Sequence, residues 1–146
     1  MQGLLINACA RLVGAVPEGA SPKVTGASRT DAGVHALRQV ASLSLDTGMT
    51  PEALRRALNA LLPAQVRVTD ARPAPAGFDA RRSALGKRYL YVIDRAATAD
   101  PFLRRHAWHL PRPLDAAAMG QGLHLLRGKH DFTAFCAAAG RDRSPT

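Results

Sequence analysis

The stretch Lys23-Val-Thr-Gly-Ala-Ser-Arg-Thr-Asp-Ala-Gly-Val-His-Ala-Leu-Arg-Gln-Val-Ala-Ser-Leu-Ser-Leu45 decides the fold class. Residues 23–27 are a short run bounded by turn formers. Residues 38–45 alternate Ala41, Leu43 and Leu45 with Ser42 and Ser44, the period of a half-buried strand. Two strands therefore flank a polar, glycine-containing loop over residues 27–36, and whatever that loop presents is held by a sheet.

Working outward, Leu4, Leu5, Ala8 and Leu12 are spaced for a helix over residues 2–13, and the proline- and glycine-containing run 17–22 breaks it into a loop. Thr50-Pro51-Glu52 supplies an N-cap, a proline at the first helical position and a first-turn acid. Leu54, Ala57, Leu58 and Leu61 follow on one face, so residues 51–61 form a second helix. Val66 and Val68 read as a short strand, and residues 72–77 as an extended connector. Residues 87–94 are a strand with Tyr89, Tyr91 and Ile93 on one face and Leu90 and Val92 on the other, a two-faced pattern that places it centrally. A weaker strand lies near residues 104–110. Met119, Leu123 and Leu126 mark a third helix over 115–127, which Gly128 ends.

The order helix, strand, strand, helix, strand is a ferredoxin-like split βαβ unit without its opening strand. The expected organisation is one α+β domain over 1–146. Residues 1–71 are its first ferredoxin-like half, 72–86 the connector and 87–146 the start of a second half. A mostly antiparallel sheet carries helices on one face.

Twenty Lys and Arg against eleven Asp and Glu give a net charge of +9 and a pI near 11.0, which points to a polyanionic partner. High arginine usage is the plain alternative, since lysine occurs only at positions 23, 87 and 129. Cys9 and Cys136 form no Cys-x-x-Cys pair, which fits a reducing cytoplasm and suggests neither a disulfide framework nor a thiolate zinc site. No targeting segment and no membrane span is read. Gly122-Leu-His-Leu-Leu-Arg-Gly-Lys129 lacks the spacing and the final Ser or Thr of a phosphate loop, and Gly120-Gln-Gly122 lacks a third glycine, so no nucleotide cofactor is expected. The histidines at 35, 106, 109, 124 and 130 include no metal-binding spacing.

An Asp-Ala-Gly between strands is ordinarily turn chemistry, and Asp31 taken alone reads that way. Its neighbours open a second reading. Arg29 supplies a nearby positive charge, Thr30 a hydroxyl, and Gly33 a backbone path close to a ligand. A single carboxylate without a second acid disfavours glycoside hydrolysis and suits covalent catalysis, in which the carboxylate adds to an electrophilic carbon and later leaves. His35 fits a phosphate contact and a turn-stabilising role equally well.

The run Arg29-Thr-Asp-Ala-Gly-Val-His-Ala36, followed by Gln39-Val-Ala-Ser-Leu43, resembles the signature of the TruA family of tRNA pseudouridine synthases. Further matches occur in family order: Asn59 before Leu62-Pro63, Phe78-Asp-Ala-Arg81 with Ser83-Ala84, Lys87-Arg-Tyr-Leu-Tyr-Val-Ile93, and Leu126-x-Gly-x-His-Asp-Phe-x-x-Phe135. The resemblance implies a pseudouridine synthase fold, an isomerase acting on uridines of the tRNA anticodon arm (tRNA positions 38, 39 and 40), a homodimer, and no metal or organic cofactor. It makes Asp31 the nucleophile, with Arg29 orienting it and helping to hold the flipped nucleotide. Tyr89 then stacks on the extruded base, although it also reads as a strand core residue. Arg81 and Arg88 add phosphate-binding charge beside Arg82 and Lys87.

Against the family pattern, Ser28 replaces a Gly and Arg82 an aromatic. The family's opening strand and a later basic active-site residue are expected to lie outside residues 1–146, which leaves a weakly active or inactive chain as an expectation. The competing reading is a basic RNA-binding module without chemistry. A generic DNA-binding domain has no recognition-helix motif to support it.

Overall fold

The strand–loop–strand expected over residues 23–45 is present. In the computed structural model, which describes residues 1–14 and 22–135, β1 (Lys23–Gly26) and β2 (Ala41–Ser44) pair antiparallel, with Lys23 opposite Ser44 and Gly26 opposite Ala41. The Ala27 N–H continues the ladder by donating to the Val40 carbonyl at 2.9 Å. Two helices bury this sheet. α1 (Gln2–Val13) supplies buried Ala8 and Cys9, with Leu5 and Leu12 half-buried, while Leu4 turns outward. α2 (Pro51–Leu61) supplies Leu58, and Leu62 at its end joins Val24 of β1 in the same cluster. Burial without a nearby charge pushes the Cys9 thiol up, so it packs as a small apolar residue rather than as a nucleophile.

α2 forms for reasons visible locally. The Thr50 side chain accepts the Ala53 N–H at 3.3 Å, Pro51 sits where no N–H is needed, and Glu52 pairs with Arg55 at 2.7 Å. Leu54 and Leu61 share its inward face with Leu58. Beyond it the chain returns along the core as unpaired extended backbone. Val66 and Val68 are half-buried there, but they form no strand: the Val66 N–H turns back to the Pro63 carbonyl at 3.0 Å, and the partner of Val68 is a side chain. The Asn59 amide donates to the Val68 carbonyl and accepts the Val68 N–H, both at 2.8 Å. Asn59→Ala strands both backbone groups beside the core and is expected to cost about 2 kcal/mol, read as a lower urea midpoint at unchanged slope.

The chain divides into two units, Met1–Tyr91 and Val92–Thr146. In the second, β3 (Ile93–Asp94) pairs parallel with β4 (Trp108–His109), flanked by Trp108 N–H to Val92 O and Leu110 N–H to Asp94 O, both 2.8 Å. The Asp94 carboxylate accepts the Ala96 and Asp100 N–H groups at 2.9 and 3.2 Å, which closes the loop between the strands and holds this carboxyl below the usual range. α3 (Ala116–Leu125) starts where the Asp115 side chain accepts the Ala118 N–H at 2.8 Å, and Gly128 follows its end at φ 97°. A 3-10 turn covers Thr133–Phe135.

Two strand expectations are corrected. The strand expected over residues 87–94 is regular only at Ile93–Asp94, and that expected near 104–110 only at Trp108–His109, inside a parallel pair. A strand exists only where another pairs with it. Among the described residues none pairs with 87–91, so Tyr89, Leu90 and Tyr91 are exposed rather than central. α3 has the expected spacing but buries nothing: Met119, Leu123 and Leu126 all face out. Among the described residues the architecture is therefore mixed α+β with three helices and two two-stranded sheets. Apart from Pro22, the loop expected over 17–22 lies outside the described residues, as does Cys136. No described helix is long and apolar enough to cross a membrane.

Candidate active site

The loop joining β1 to β2 is shaped by its own backbone. The Val34 N–H donates to the Asp31 carbonyl at 3.1 Å, and Gly33 holds φ 80°, the positive value required at the third position of a type II turn. Space around the Gly33 Cα is open, so the position favours glycine for backbone reasons and not for lack of room. This turn lifts Asp31 to its first position. The Asp31 side chain is exposed and makes no hydrogen bond or ion pair among the described residues. At the loop's base, Gln39 Nε2 donates to the Ser28 carbonyl at 2.9 Å and ties the outgoing strand to the residue before Arg29.

Beside this loop lies a concavity of about 170 Å³ lined by Gln2, Val24, Ser28, Arg29, Thr30, Gln39, Ala41 and Arg81, among others. Its floor is the sheet and the start of α1, where Gln2 Nε2 donates to the Val24 carbonyl at 2.7 Å. Arg81 arrives from the far end of this unit on a compact turn. Asp79 Oδ1 accepts the N–H groups of Arg81 and Arg82, both at 2.9 Å, and the Ser83 N–H donates to the Asp79 carbonyl at 2.8 Å. Those backbone donors, Arg82 first, hold the Asp79 carboxyl below the usual carboxylate range. Two guanidinium groups, two hydroxyls and two amides around a partly apolar hollow suit a ligand with a flat ring and an anionic tail.

The structure thus brings Arg29 and Arg81 together on one concavity, with Asp31 and His35 on the loop beside it. No Arg29–Asp31 ion pair occurs among the described residues, so the two stand as separate groups. Arg88 and Tyr89 are not among the lining residues; they lie on the exposed extended run, Tyr89 at 69% exposure. Residue-by-residue reading missed Gln39, Asp79 and Ser42 as parts of the site's support. All three stand inside recognisable motifs, but nothing in their spacing says that they hold backbone. Among the described residues no three His, Cys, Asp or Glu side chains gather as metal ligands.

A family model described as tRNA pseudouridine synthase matches residues 8–81, which include the whole β1–loop–β2 unit and the turn carrying Arg81. Among similar proteins are three called tRNA pseudouridine synthase A. That of Methylacidiphilum infernorum is 48% identical over 117 residues, covering 80% of this chain and 46% of its own length. That of a Roseiflexus species is 46% identical over 132 residues (90% and 47%), and that of Latilactobacillus sakei 39% identical over 140 residues (96% and 55%). The chain spans about half the length of the curated relatives it matches. With the loop, its flanking strands and the 78–83 turn inside the matched region, the chain belongs to the tRNA pseudouridine synthase family.

Proposed function

We propose that this chain carries the nucleophile of a tRNA pseudouridine synthase that isomerises uridine to pseudouridine in the anticodon arm. The observation behind this is the turn that presents the Asp31 carboxylate beside a concavity bearing Arg29 and Arg81. The carboxylate adds to the bound uridine, the N-glycosidic bond opens, and the freed base rotates. Its C5 then bonds to the ribose carbon, the C5 proton passes to solvent, and N1 is protonated. As the carbon–carbon bond forms, the carboxylate leaves unchanged.

Arg29 holds the flipped nucleotide beside Asp31, and Arg81, Arg88 and His35 contact its phosphates. Tyr89 stacks on the extruded base, a role its exposed ring leaves open to it. In this reading the ferredoxin-like halves, divided as 1–71, 72–86 and 87–146, are completed by the other elements of the family's fold. The protein works as a cytoplasmic homodimer. Its net charge of +9 supports a tRNA partner.

The test is release of tritium from 5-tritiated uridine in tRNA, run beside tRNA binding at several salt concentrations. In the protein completed by those other elements, release together with binding that weakens steeply as salt rises is the expected result. Salt-dependent binding with no release would leave only an RNA-binding module, and the absence of both would overturn the reading.

A further inference from the structure

The turn that carries Arg81 is fastened to the catalytic hairpin by one hydrogen bond that spans 38 residues of sequence: the Ala80 N–H donates to Ser42 Oγ of β2 at 3.2 Å. Ala80 itself is buried, although it lies outside the main apolar cluster, so the turn is seated and not merely apposed. On the other side of Arg81, the Asp79 carboxylate fixes the Arg81 and Arg82 amides. The root of Arg81 is thereby held from both directions. Ser42 stands next to Ala41, which lines the same concavity as Arg81, so one strand supplies the wall and the anchor together. Arg81 makes no salt bridge within the described residues, so it remains available to an anion.

We propose that Ser42 is a positioning residue: through the Ala80 amide it holds Arg81 so that its guanidinium, with Arg29, binds the phosphate of the uridine nucleotide. This rests on the isomerase reading for the identity of the nucleotide, but not for the geometry. A guanidinium on a long side chain loses much of its binding energy to ordering, and fixing its backbone in advance reduces that loss.

The experiment is a double-mutant cycle on the purified chain. Binding of uridine 5′-monophosphate is followed through the Arg29 and Arg81 Nε–H resonances, with circular dichroism as a check on folding. Ser42→Ala is expected to raise the Kd about three- to tenfold, the scale of one hydrogen bond. Ser42→Thr, which keeps the hydroxyl, should stay within about twofold of the parent. Arg81→Gln should raise the Kd at least as much as Ser42→Ala, and the double variant should match Arg81→Gln alone, because Ser42 acts only through Arg81. If the alanine variant unfolds, the isosteric Ser42→Thr and Ser42→Val pair carries the same comparison.

An Arg81 resonance that ignores the nucleotide, an unchanged Kd in Ser42→Ala, or losses that multiply in the double variant each overturn the proposal. Coupling without tritium release would remove the isomerase reading and leave this one standing. Tritium release with independent losses would do the reverse.

Discussion

In an active protein that carries the family's other elements, Asp31→Asn is expected to lower tritium release from 5-tritiated uridine in tRNA by about a thousandfold or more, while tRNA affinity stays within about twofold. The asparagine amide is nearly isosteric, but it is a poor nucleophile and carries no charge. Its structural cost is small, because the Asp31 side chain is exposed and makes no hydrogen bond among the described residues. What shapes the turn is the Asp31 carbonyl, and the substitution leaves that in place. Loss of turnover with retained binding and an unchanged circular dichroism spectrum would assign chemistry to the carboxylate. Turnover as fast as the parent's would show that another group attacks, and the loop would then be a turn with an ordinary capping acid.

The largest stability effect is expected at Leu58. It is fully buried, at 1% exposure, between α1 and the sheet, and it shares a cluster with Ala8, Cys9, Val24 and Leu62. Truncation to alanine removes three carbons from a site whose neighbours come from three separate elements and cannot all close the gap. The expected loss is about 3 kcal/mol, a large share of the roughly 5–15 kcal/mol that holds a typical domain together. Urea unfolding should show a lower midpoint with the slope preserved. Leu58→Met, which conserves volume, should cost less than about 1.5 kcal/mol. Equal losses in the two variants would mean that shape, rather than the cavity, sets the penalty. Because β1 and β2 rest on this cluster, tRNA binding should fall as Leu58→Ala unfolds.

The parts legible in the sequence are those whose causes are local. The cap and proline at Thr50-Pro51, the apolar stripe of α2, the alternation of β2 and the spacing of α3 each act within a few residues; α2 stands at its expected bounds, α3 within two residues of them, and β2 begins three residues later than expected. Residues 87–92 show the opposite case. Their Tyr-Leu-Tyr-Val pattern has strong strand preference, yet a strand is a property of two segments, and among the described residues only the Val92 carbonyl meets another strand, accepting the Trp108 N–H. Val66 and Val68 went the same way, since the partner of Val68 is the Asn59 side chain and not another strand.

For the candidate site, the sequence by itself singled out the loop, its acid and Gly33, because a nucleophile needs a particular functional group and a close backbone path favours glycine, and the structure adds that Gly33 holds the positive φ of a type II turn. It also placed Arg81 among the candidates by charge and motif. Only the tertiary structure decided that Arg29 and Arg81 share one concavity, that Gln39 and Ser42 hold the backbone around them, and that Asp31 stands on the loop beside it without an ion pair. Those facts depend on the 78–83 turn coming back across β2, a long-range arrangement set by burial of Ala80 and by one serine hydroxyl. A pattern of residue types along the chain carries no record of which distant backbone groups will meet.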